Sequence, residues 1–229
     1  MATPVSNDRP LLLGHRGARA VRSIPENTIQ SFERALADGC DGFEFDVRRT
    51  ADGDAVVCHD PRLRGIEIAQ ASGAQLQNLP RLEEVLARFH KRAFLDIELK
   101  VGGLEQLTIS FLREYPPARG VVVSSFLPEV LWTVRAKDAS VPLGLICETV
   151  DEFRTWRDVC ADCAIPHYRL LNVERIADLK RAGMKILAWT VNVPREMLRC
   201  RDLGVDGILS DDAALLSRTL AGAKARSSS

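Results

Sequence analysis

A pair of acidic residues lies on one predicted strand near position 45. In the stretch GFEFDVRR, residues 42–49, side chains alternate between the two faces of a strand, so Glu44 and Asp46 share one face. The apolar residues between them share the other face, which suits packing under helices. Two carboxylates are costly to bury unless they are paired or bind a cation. At this spacing they are close enough to bind one hard metal ion through oxygen.

A turn and a second predicted strand follow the acidic pair. Asp52-Gly53 indicates the turn, and the apolar stretch that starts at Ala55 ends at His59 and Asp60. One hairpin therefore carries a candidate metal pair and a candidate acid/base histidine. An isolated acidic pair is more often part of a solvated face. The catalytic interpretation therefore depends on similar groups at other strand ends.

The stretch AFLDIELK, residues 93–100, repeats this pattern and adds a lysine. Asp96, Glu98 and Lys100 face one way, whereas the apolar residues between them face the other. Two residues of strand advance about 7 Å. A metal held by the first pair therefore cannot bind Asp96 and Glu98 equally.

Strand-like and helical segments alternate along the whole chain, which predicts a parallel sheet with helical crossovers. The predicted strands are centred near Leu12, Phe43, Ile97, Val122, Leu145, Tyr168, Leu187 and Ile208. Eight such units in 229 residues predict an α/β fold, a TIM (β/α)8 barrel with a short excursion after the second strand, over residues 61–79. The barrel is expected to be a single domain over 11–221, between an N-terminal lead at 1–10 and a flexible tail at 222–229. An open doubly wound sheet is the alternative, although no glycine-rich dinucleotide fingerprint follows the first strand.

Composition excludes several classes of function. The 31 basic residues balance the 31 acidic ones, so no overall field favours nucleic acid or anionic membranes. The absence of a long apolar run and of a leader-like N-terminus predicts a cytoplasmic protein with no stable membrane insertion. The six cysteines lie mostly in apolar stretches, which predicts reduced, buried thiols. A single C-x-x-C spacing, Cys160 to Cys163, is expected to be structural.

Polar residues gather where the predicted strands end, which is the functional face of a TIM barrel. They are His15, Arg16, Glu44, Asp46, Glu98, Lys100, Ser124, Ser125, Glu148, Trp189 and Asp211. Three acids from neighbouring strands predict an oxygen site for Mg²⁺ or Ca²⁺, and the two basic residues suit an anion. Phosphoryl transfer or hydrolysis therefore fits. Enolase-type chemistry, with acids on Mg²⁺ and a Lys or His base, also fits, but the arginine beside the first histidine favours a phosphate.

Nine short motifs resemble the glycerophosphodiester phosphodiesterase family, in the order in which that family carries them. They are His15-Arg16-Gly17, Pro25-Glu26-Asn27-Thr28, Glu44-Phe45-Asp46-Val47, Asp52-Gly53, Val57-Cys58-His59-Asp60, Leu95-Asp96-Ile97-Glu98-Leu99-Lys100, Ser125-Phe126, Trp189-Thr190-Val191-Asn192 and Gly204-Val205-Asp206-Gly207-Ile208. The likeness extends from Leu11 to about Asp211. It implies a TIM barrel enzyme that hydrolyses glycerophosphodiesters, which are small-molecule substrates, to sn-glycerol 3-phosphate and an alcohol.

The resemblance also implies a role for individual residues. It places a divalent cation on Glu44, Asp46 and Glu98, and it makes His15 and His59 the general acid/base pair. It implies that Arg16 and Lys100 contact the phosphate and that Asn27 lies near the metal. Trp189 is implied to line the pocket beside the alcohol group. With Glu98 at the metal, Asp96 is expected to lie deeper in the barrel. Glu148 and Asp211 are candidates for supporting the site, and the two remaining histidines, His90 and His167, are expected to be structural.

The chain departs from the family pattern at three places. The loop from His15 to Pro25 is longer than usual, the excursion is short and lacks a Thr-Gly-rich pattern, and Ser210-Asp211-Asp212 replaces Thr-Asp-x-Pro. The excursion is therefore expected to be a trimmed form of the capping insertion.

Two other functions compete with glycerophosphodiester hydrolysis. A phospholipase D-like enzyme acting on lysolipids needs an apolar rim for acyl chains, and the excursion contains no apolar run. A non-catalytic phospholigand-binding barrel predicts loss of a histidine or carboxylate, yet all five are present. The attacking group is water or the substrate's own 2-hydroxyl, and the resemblance favours the hydroxyl, through a cyclic phosphate. The head group, the preferred ion and the oligomeric state stay open.

Overall fold

A computed structural model describes residues 9–221 as a closed parallel barrel surrounded by helices. Its strands are β1 Leu11–Gly14, β2 Gly42–Arg49, β3 Ala55–Val57, β4 Arg62–Leu63, β5 Ile66–Glu67, β6 Phe94–Leu99, β7 Val121–Ser125, β8 Leu143–Cys147, β9 Cys163–Pro166, β10 Lys185–Ala188 and β11 Gly207–Ser210. Strands β1, β2 and β6 to β11 form the barrel, which closes because β1 pairs in parallel with both β2 and β11. The predicted TIM barrel is confirmed, and the open sheet is wrong.

Helices alternate with the barrel strands. They are α1 Ile29–Ala37, α2 Leu82–Phe89, α3 Glu105–Glu114, α4 Pro128–Lys137, α5 Val150–Arg154, α6 Val173–Arg181, α7 Pro194–Leu203 and α8 Ala213–Ala221. Local sequence accounts for several of their ends. The Thr28 hydroxyl caps α1 by accepting from the Ser31 amide at 3.2 Å, and α7 ends at Gly204, whose φ of 81° favours glycine.

Two apolar layers enclose the barrel strands. Phe43, Phe45 and Val47 of β2 are fully buried in the outer layer against the helices, on the face that the alternation predicts. The inner layer is smaller and comes from the other side of the barrel, where Ile146, Ile165 and their neighbours on β7 to β11 pack together. The inside of β2 and β6 is acidic instead. The barrel interior is therefore divided into an apolar half and an acidic half.

The excursion forms a small compact layer over one side of the barrel mouth. Strand β3 pairs antiparallel with the end of β2, and β4 and β5 form a separate hairpin. Two 3-10 turns, Ile68–Gln70 and Gly73–Leu76, complete it. A small apolar cluster that includes Val56, Cys58 and Leu76 holds this layer in place.

Three predicted elements differ from the structure. The sixth barrel strand is Cys163–Pro166, whereas Tyr168–Leu170 is a 3-10 turn, so the strand predicted around Tyr168 is displaced. Strand β3 ends at Val57 and leaves His59 in a bend. The sequence also predicts a helix over residues 150–160, and the structure has a short helix there followed by a 3-10 turn. Apart from Arg9 and Pro10, the predicted lead lies outside the described residues, as does the predicted tail, and the domain limits stay predictions.

Candidate active site

Three buried carboxylates converge at the C-terminal end of the barrel. One oxygen from each of Glu44, Asp46 and Glu98 lies within 4.8 Å of the others. The register of the two strands explains why these carboxylates lie together, because β2 and β6 pair in parallel with Asp46 opposite Glu98. Glu44 Oε1 is buried and accepts no hydrogen bond, whereas the buried oxygens Asp46 Oδ1 and Glu98 Oε1 contact the Lys100 ammonium. Oxygen donors of this kind are the ligands that Mg²⁺ and Ca²⁺ take, so these residues fit a divalent cation.

Burial and mutual repulsion perturb the carboxylates of this cluster. Burial, and then the neighbouring acids, raise the pKa of Glu44 well above its usual value. The same causes raise the pKa of Glu98 to about 7. Burial opposes ionisation of Asp46, but Lys100, Arg16 and an amide hydrogen bond from Asn27 outweigh it and lower its pKa. A bound cation would favour the ionised forms of these acids and so lower the raised pKa values of Glu44 and Glu98.

The two predicted phosphate contacts are bound to this cluster. Lys100 Nζ lies 2.6 Å from Glu98 Oε1 and 3.4 Å from Asp46 Oδ1. Arg16 Nε lies 3.4 Å from Asp46 Oδ2, and the Arg16 backbone N–H donates to Glu44 Oε2 at 2.9 Å. Both side chains also border the cavity that opens beside the carboxylates. They are placed to contact an anion beside the carboxylates.

His15 is held between two acids from opposite ends of the chain. Its Nδ1 is 2.7 Å from Asp211 Oδ1, and its Nε2 is 3.8 Å from Glu44 Oε2. Burial opposes ionisation of Asp211, but its contact with His15 lowers the pKa of this carboxyl to about 2. Asn192 holds Asp211 from the other side, where its Nδ2 donates to Asp211 Oδ2 at 2.7 Å. Asp211 therefore accepts a hydrogen bond from Nδ1, and Nε2 faces the cluster.

His59 has a similar but more exposed arrangement. Its Nδ1 is 2.7 Å from Oδ1 of Asp60, which leaves Nε2 as its second nitrogen. Arg48 fixes the bend from below, since its Nε donates to the His59 carbonyl oxygen at 2.7 Å. Burial lowers the pKa of His59.

Two residues of the β1–α1 connection reach the cluster with unusual backbone conformations. Arg16 has a φ of 53° and Asn27 has a φ of 57°, both in the left-handed region that residues other than glycine rarely adopt. Asn27 Nδ2 donates to Asp46 Oδ2 at 2.8 Å, and the Asp46 amide donates to Asn27 Oδ1 at 3.3 Å. A strained backbone conformation of this kind persists where surrounding contacts hold it in place, and such conformations are common at functional sites.

Asp96 lies in a different environment from Glu98, as its position along β6 predicts. It is buried below the cluster and accepts a hydrogen bond from Ser124 Oγ at 2.5 Å. Burial raises its pKa to about 7.

The catalytic cavity has a volume of about 260 Å³ and is bordered by both histidines, Glu44 and Glu98. Its opposite wall is aromatic, because the Phe126 and Trp189 rings meet edge to face at 5.6 Å. Trp189 is fixed there by donating from Nε1 to the Ile165 carbonyl oxygen at 2.8 Å. Glu148 is exposed and stands at the edge of the same cavity.

A second depression, which we call the excursion groove, has a volume of about 630 Å³ and meets the catalytic cavity at His59. It lies between residues 25–28 of the β1–α1 connection and residues 63–79 of the excursion. The aliphatic side chains that border it are Val57, Leu63, Ile66, Leu76 and Leu79. The apolar surface that sequence reasoning did not find in the excursion is therefore assembled from scattered positions.

The structure thus brings together every residue predicted for the site, with Glu148 at its edge. Sequence reasoning missed the supporting residues Asp60, Asn192 and Arg48. The sequence offered a signal for two of them, since Asp60 follows His59 directly and Asn192 ends the Trp-Thr-Val-Asn motif. His90 caps the end of α2 and His167 contacts Trp189 and Tyr168, outside the cluster.

The cysteines also match expectation. All six thiols are free, and five of them are buried. Among the helices of residues 9–221, none has the length and apolar character needed to cross a bilayer.

Comparison with known proteins identifies the relatives of this chain. The profile described as the glycerophosphoryl diester phosphodiesterase family matches residues 15–215. A protein of Caldanaerobacter subterraneus subsp. tengcongensis named glycerophosphodiester phosphodiesterase is 30% identical over 238 residues, covering 91% of this chain and 96% of that protein.

Solved structures give the same result for the fold. A glycerophosphodiester phosphodiesterase from Parabacteroides distasonis has a TM-score of 0.85 at 25% identity and covers 96% of this chain and 100% of its own. A phosphodiesterase from Oleispira antarctica, in complex with the product sn-glycerol-3-phosphate, has a TM-score of 0.80 at 24% identity, with 93% and 97% covered. The prediction of an enzyme with this fold and ancestry is confirmed: the chain belongs to the glycerophosphoryl diester phosphodiesterase family.

Proposed function

We propose that this protein hydrolyses glycerophosphodiesters to sn-glycerol 3-phosphate and an alcohol, with a divalent cation on Glu44, Asp46 and Glu98. The observation that supports this most is the convergence of three buried carboxylates, with one oxygen of each within 4.8 Å of the others, beside a cavity that both histidines border. Each histidine has a carboxylate on Nδ1. Membership of the family adds the class of substrate.

A bound Mg²⁺ or Ca²⁺ supplies positive charge that stabilises a phosphoryl oxygen as negative charge develops. Arg16 and Lys100 border the same cavity and add two cations that orient the phosphodiester. Asn27 holds Asp46 in place through two hydrogen bonds, because its Nδ2 donates to the carboxylate and its Oδ1 accepts from the Asp46 backbone N–H. Trp189 provides an apolar wall for the substrate's carbon atoms.

His15 is the proton acceptor for the attacking hydroxyl. Asp211 keeps a proton on Nδ1, so Nε2 is the basic nitrogen, and that nitrogen faces the carboxylate cluster. His59 is the proton donor for the departing alcohol, because its ring stands where the catalytic cavity opens. Over one turnover, one water molecule is added across the phosphodiester and the two products are released. Water attacks phosphorus directly, or it opens the cyclic phosphate that forms when the substrate's 2-hydroxyl attacks first.

A panel of phosphodiesters with coupled detection of sn-glycerol 3-phosphate tests this function. The protein is stripped of metal with EDTA and assayed alone, with Mg²⁺ and with Ca²⁺. We expect turnover of glycerophosphodiesters only with a cation. His15→Ala and His59→Ala should each lower kcat at least about a hundredfold, whereas His90→Ala, which alters a histidine outside the cluster, should not.

Release of no glycerol 3-phosphate from any diester in the presence of either cation would overturn the proposed activity. Full turnover after exhaustive chelation would instead refute only the metal requirement. A folded His15→Ala or His59→Ala variant with the wild-type kcat would refute the role of that histidine.

A further inference from the structure

The excursion groove is larger than the catalytic cavity and opens from it, yet the carboxylate cluster does not border it. We propose that this groove binds the departing alcohol of the substrate and favours uncharged alcohols with an aliphatic portion. The inference rests on the proposed function and specifies its substrate class.

Continuity at His59 is the first argument. His59 is the one residue that borders both depressions among the described residues. A phosphodiester centred on the carboxylate cluster has glycerol on one side of phosphorus and the alcohol on the other. The group that extends past His59 leaves the catalytic cavity and enters the groove.

Proton transfer at His59 agrees with this placement. As the attacking oxygen bonds to phosphorus, the bond between phosphorus and the alcohol oxygen breaks. The alcohol oxygen takes the electron pair of that bond and a proton from His59 Nε2, while His15 Nε2 takes the proton of the attacking hydroxyl. The oxygen that needs a proton is thus generated at the mouth of the groove.

The chemistry of the walls favours an aliphatic occupant. Five aliphatic side chains border the groove. Ile66 is 42% exposed, and Leu63 and Leu79 are partly exposed, so these three offer apolar surface to an occupant. Val57 and Leu76 are buried behind them. An occupant that covers this surface gains from removing it from water.

A cationic amino alcohol finds little to bind there. Both oxygens of Glu26 are held, one by Arg16 at 2.9 Å and one by Arg19 at 2.6 Å. Asp60 is paired with His59. None of the described residues lining the groove is Phe, Tyr or Trp, the residues that form cages for quaternary ammonium groups.

A homologous series of substrates measures this preference. Glycerol 3-phosphoryl esters of methanol, butanol and hexanol differ only in the length of the alcohol, and glycerophosphocholine provides a cationic comparison. Burial of one methylene is worth about 0.8 kcal/mol when complete. We therefore expect kcat/KM to rise about two- to fourfold per methylene, and the hexyl ester to exceed glycerophosphocholine.

Two substitutions locate the effect in the groove. Ile66→Ser should lower the ratio of kcat/KM for the hexyl ester to that for the methyl ester, whereas Asn78→Leu, at an exposed position on the same wall, should raise it. Val150→Ser is the matched control. Val150 is 37% exposed and borders neither depression, so this ratio should not change.

Each contrary result has a distinct meaning. An active enzyme with equal kcat/KM along the series, or a ratio unaffected by both groove substitutions, overturns the inference and leaves the proposed function standing. Failure to release glycerol 3-phosphate from every ester refutes the function itself. Faster turnover of 1-acyl lysophosphatidylcholine than of the hexyl ester, with loss of that advantage in Ile66→Ser, also overturns the inference. The groove would then bind an acyl chain on the glycerol side.

Discussion

Two acids on β6 show how position along a strand separates roles at the scale of single residues. Asp96 and Glu98 point into the barrel and are two residues apart. Glu98 reaches the carboxylate cluster and Lys100, whereas Asp96 lies below it against the Ser124 hydroxyl. Both have raised pKa values, about 7 in each case. Their contacts therefore distinguish them better than their acidity does.

Glu98→Gln should weaken cation binding and lower activity at least about a hundredfold. The amide removes the negative charge that a hard cation prefers among its oxygen ligands. The melting temperature of the metal-free protein should not fall, because burial already opposes ionisation of this carboxyl. A titration of Mg²⁺ against the reaction rate measures the effect. If Asp96→Asn raised the required metal concentration and Glu98→Gln did not, the ligand would be Asp96.

Asp96→Asn should change the pH dependence of stability rather than the metal requirement. The folded state holds the Asp96 proton up to pH of about 7, whereas the carboxyl of the unfolded chain loses it near 3.8. Wild-type stability should therefore fall as pH rises between these values. Asparagine has no proton to lose, so the variant should gain roughly 1–4 kcal/mol over wild type by pH 8 and little at pH 4.

Urea unfolding of the metal-free proteins at several pH values tests this difference. Asp151→Asn is the control, since Asp151 has a side chain that is 91% exposed. A constant free-energy difference between Asp96→Asn and wild type from pH 4 to pH 8 would contradict a raised pKa at this site.

At the scale of elements, the β1–α1 connection is the loop that completes the carboxylate cluster. Its Arg16 and Asn27 both adopt left-handed backbone conformations and both contact Asp46. The connection thus supplies hydrogen bonds and positive charge that the strands alone do not provide. The contacts that this loop makes with Asp46 therefore depend on its backbone conformation as well as on its side chains.

Asn27→Ala and Asn27→Gly separate these two contributions. Both variants lose the hydrogen bonds to Asp46, but only glycine adopts a φ of 57° without strain. We expect both to need more metal for activity. The glycine variant should be more stable than the alanine variant by about 0.5–1 kcal/mol. Thermal unfolding of the pair decides this, and equal stabilities would show that the backbone conformation costs nothing.

Elements also show how far sequence reasoning reaches. Alternation placed Glu44, Asp46 and Glu98 on inward faces, because the periodicity of a strand is local. The strand predicted at Tyr168 was displaced because apolar residues recur past Pro166, at Tyr168, Leu170 and Leu171, while the chain itself turns there. The excursion groove was not predictable from a run of apolar residues, since its walls come from positions that only the folded chain brings together.

At the scale of the whole molecule, the barrel seam, which is the pairing of β1 with β11, carries part of the catalytic machinery. His15 follows β1 and Asp211 follows β11, so the two are 196 residues apart in the sequence and 2.7 Å apart in space. The family motifs suggested both residues separately. Only closure of the barrel explains why they meet.

Asp211→Asn should lower kcat at least about a hundredfold and leave KM nearly unchanged. An amide offers Nδ1 a donor as well as an acceptor and no longer fixes the proton on that nitrogen. Asp60→Asn is the comparison, because the Asp60 side chain is 72% exposed and solvent screens its charge. We expect Asp60→Asn to lower kcat less than Asp211→Asn does. A larger loss in Asp60→Asn, with both variants folded, would reverse the relative importance of the two pairs.

The seam also determines when the site becomes complete during synthesis. All three carboxylates, both histidines and both cations precede residue 101, within the first half of the chain. A nascent chain of that length already holds the residues for the chemistry, yet it lacks β11, Asp211 and the pairing that orients His15. We therefore expect full catalytic competence only after β11 has been synthesised and has paired with β1.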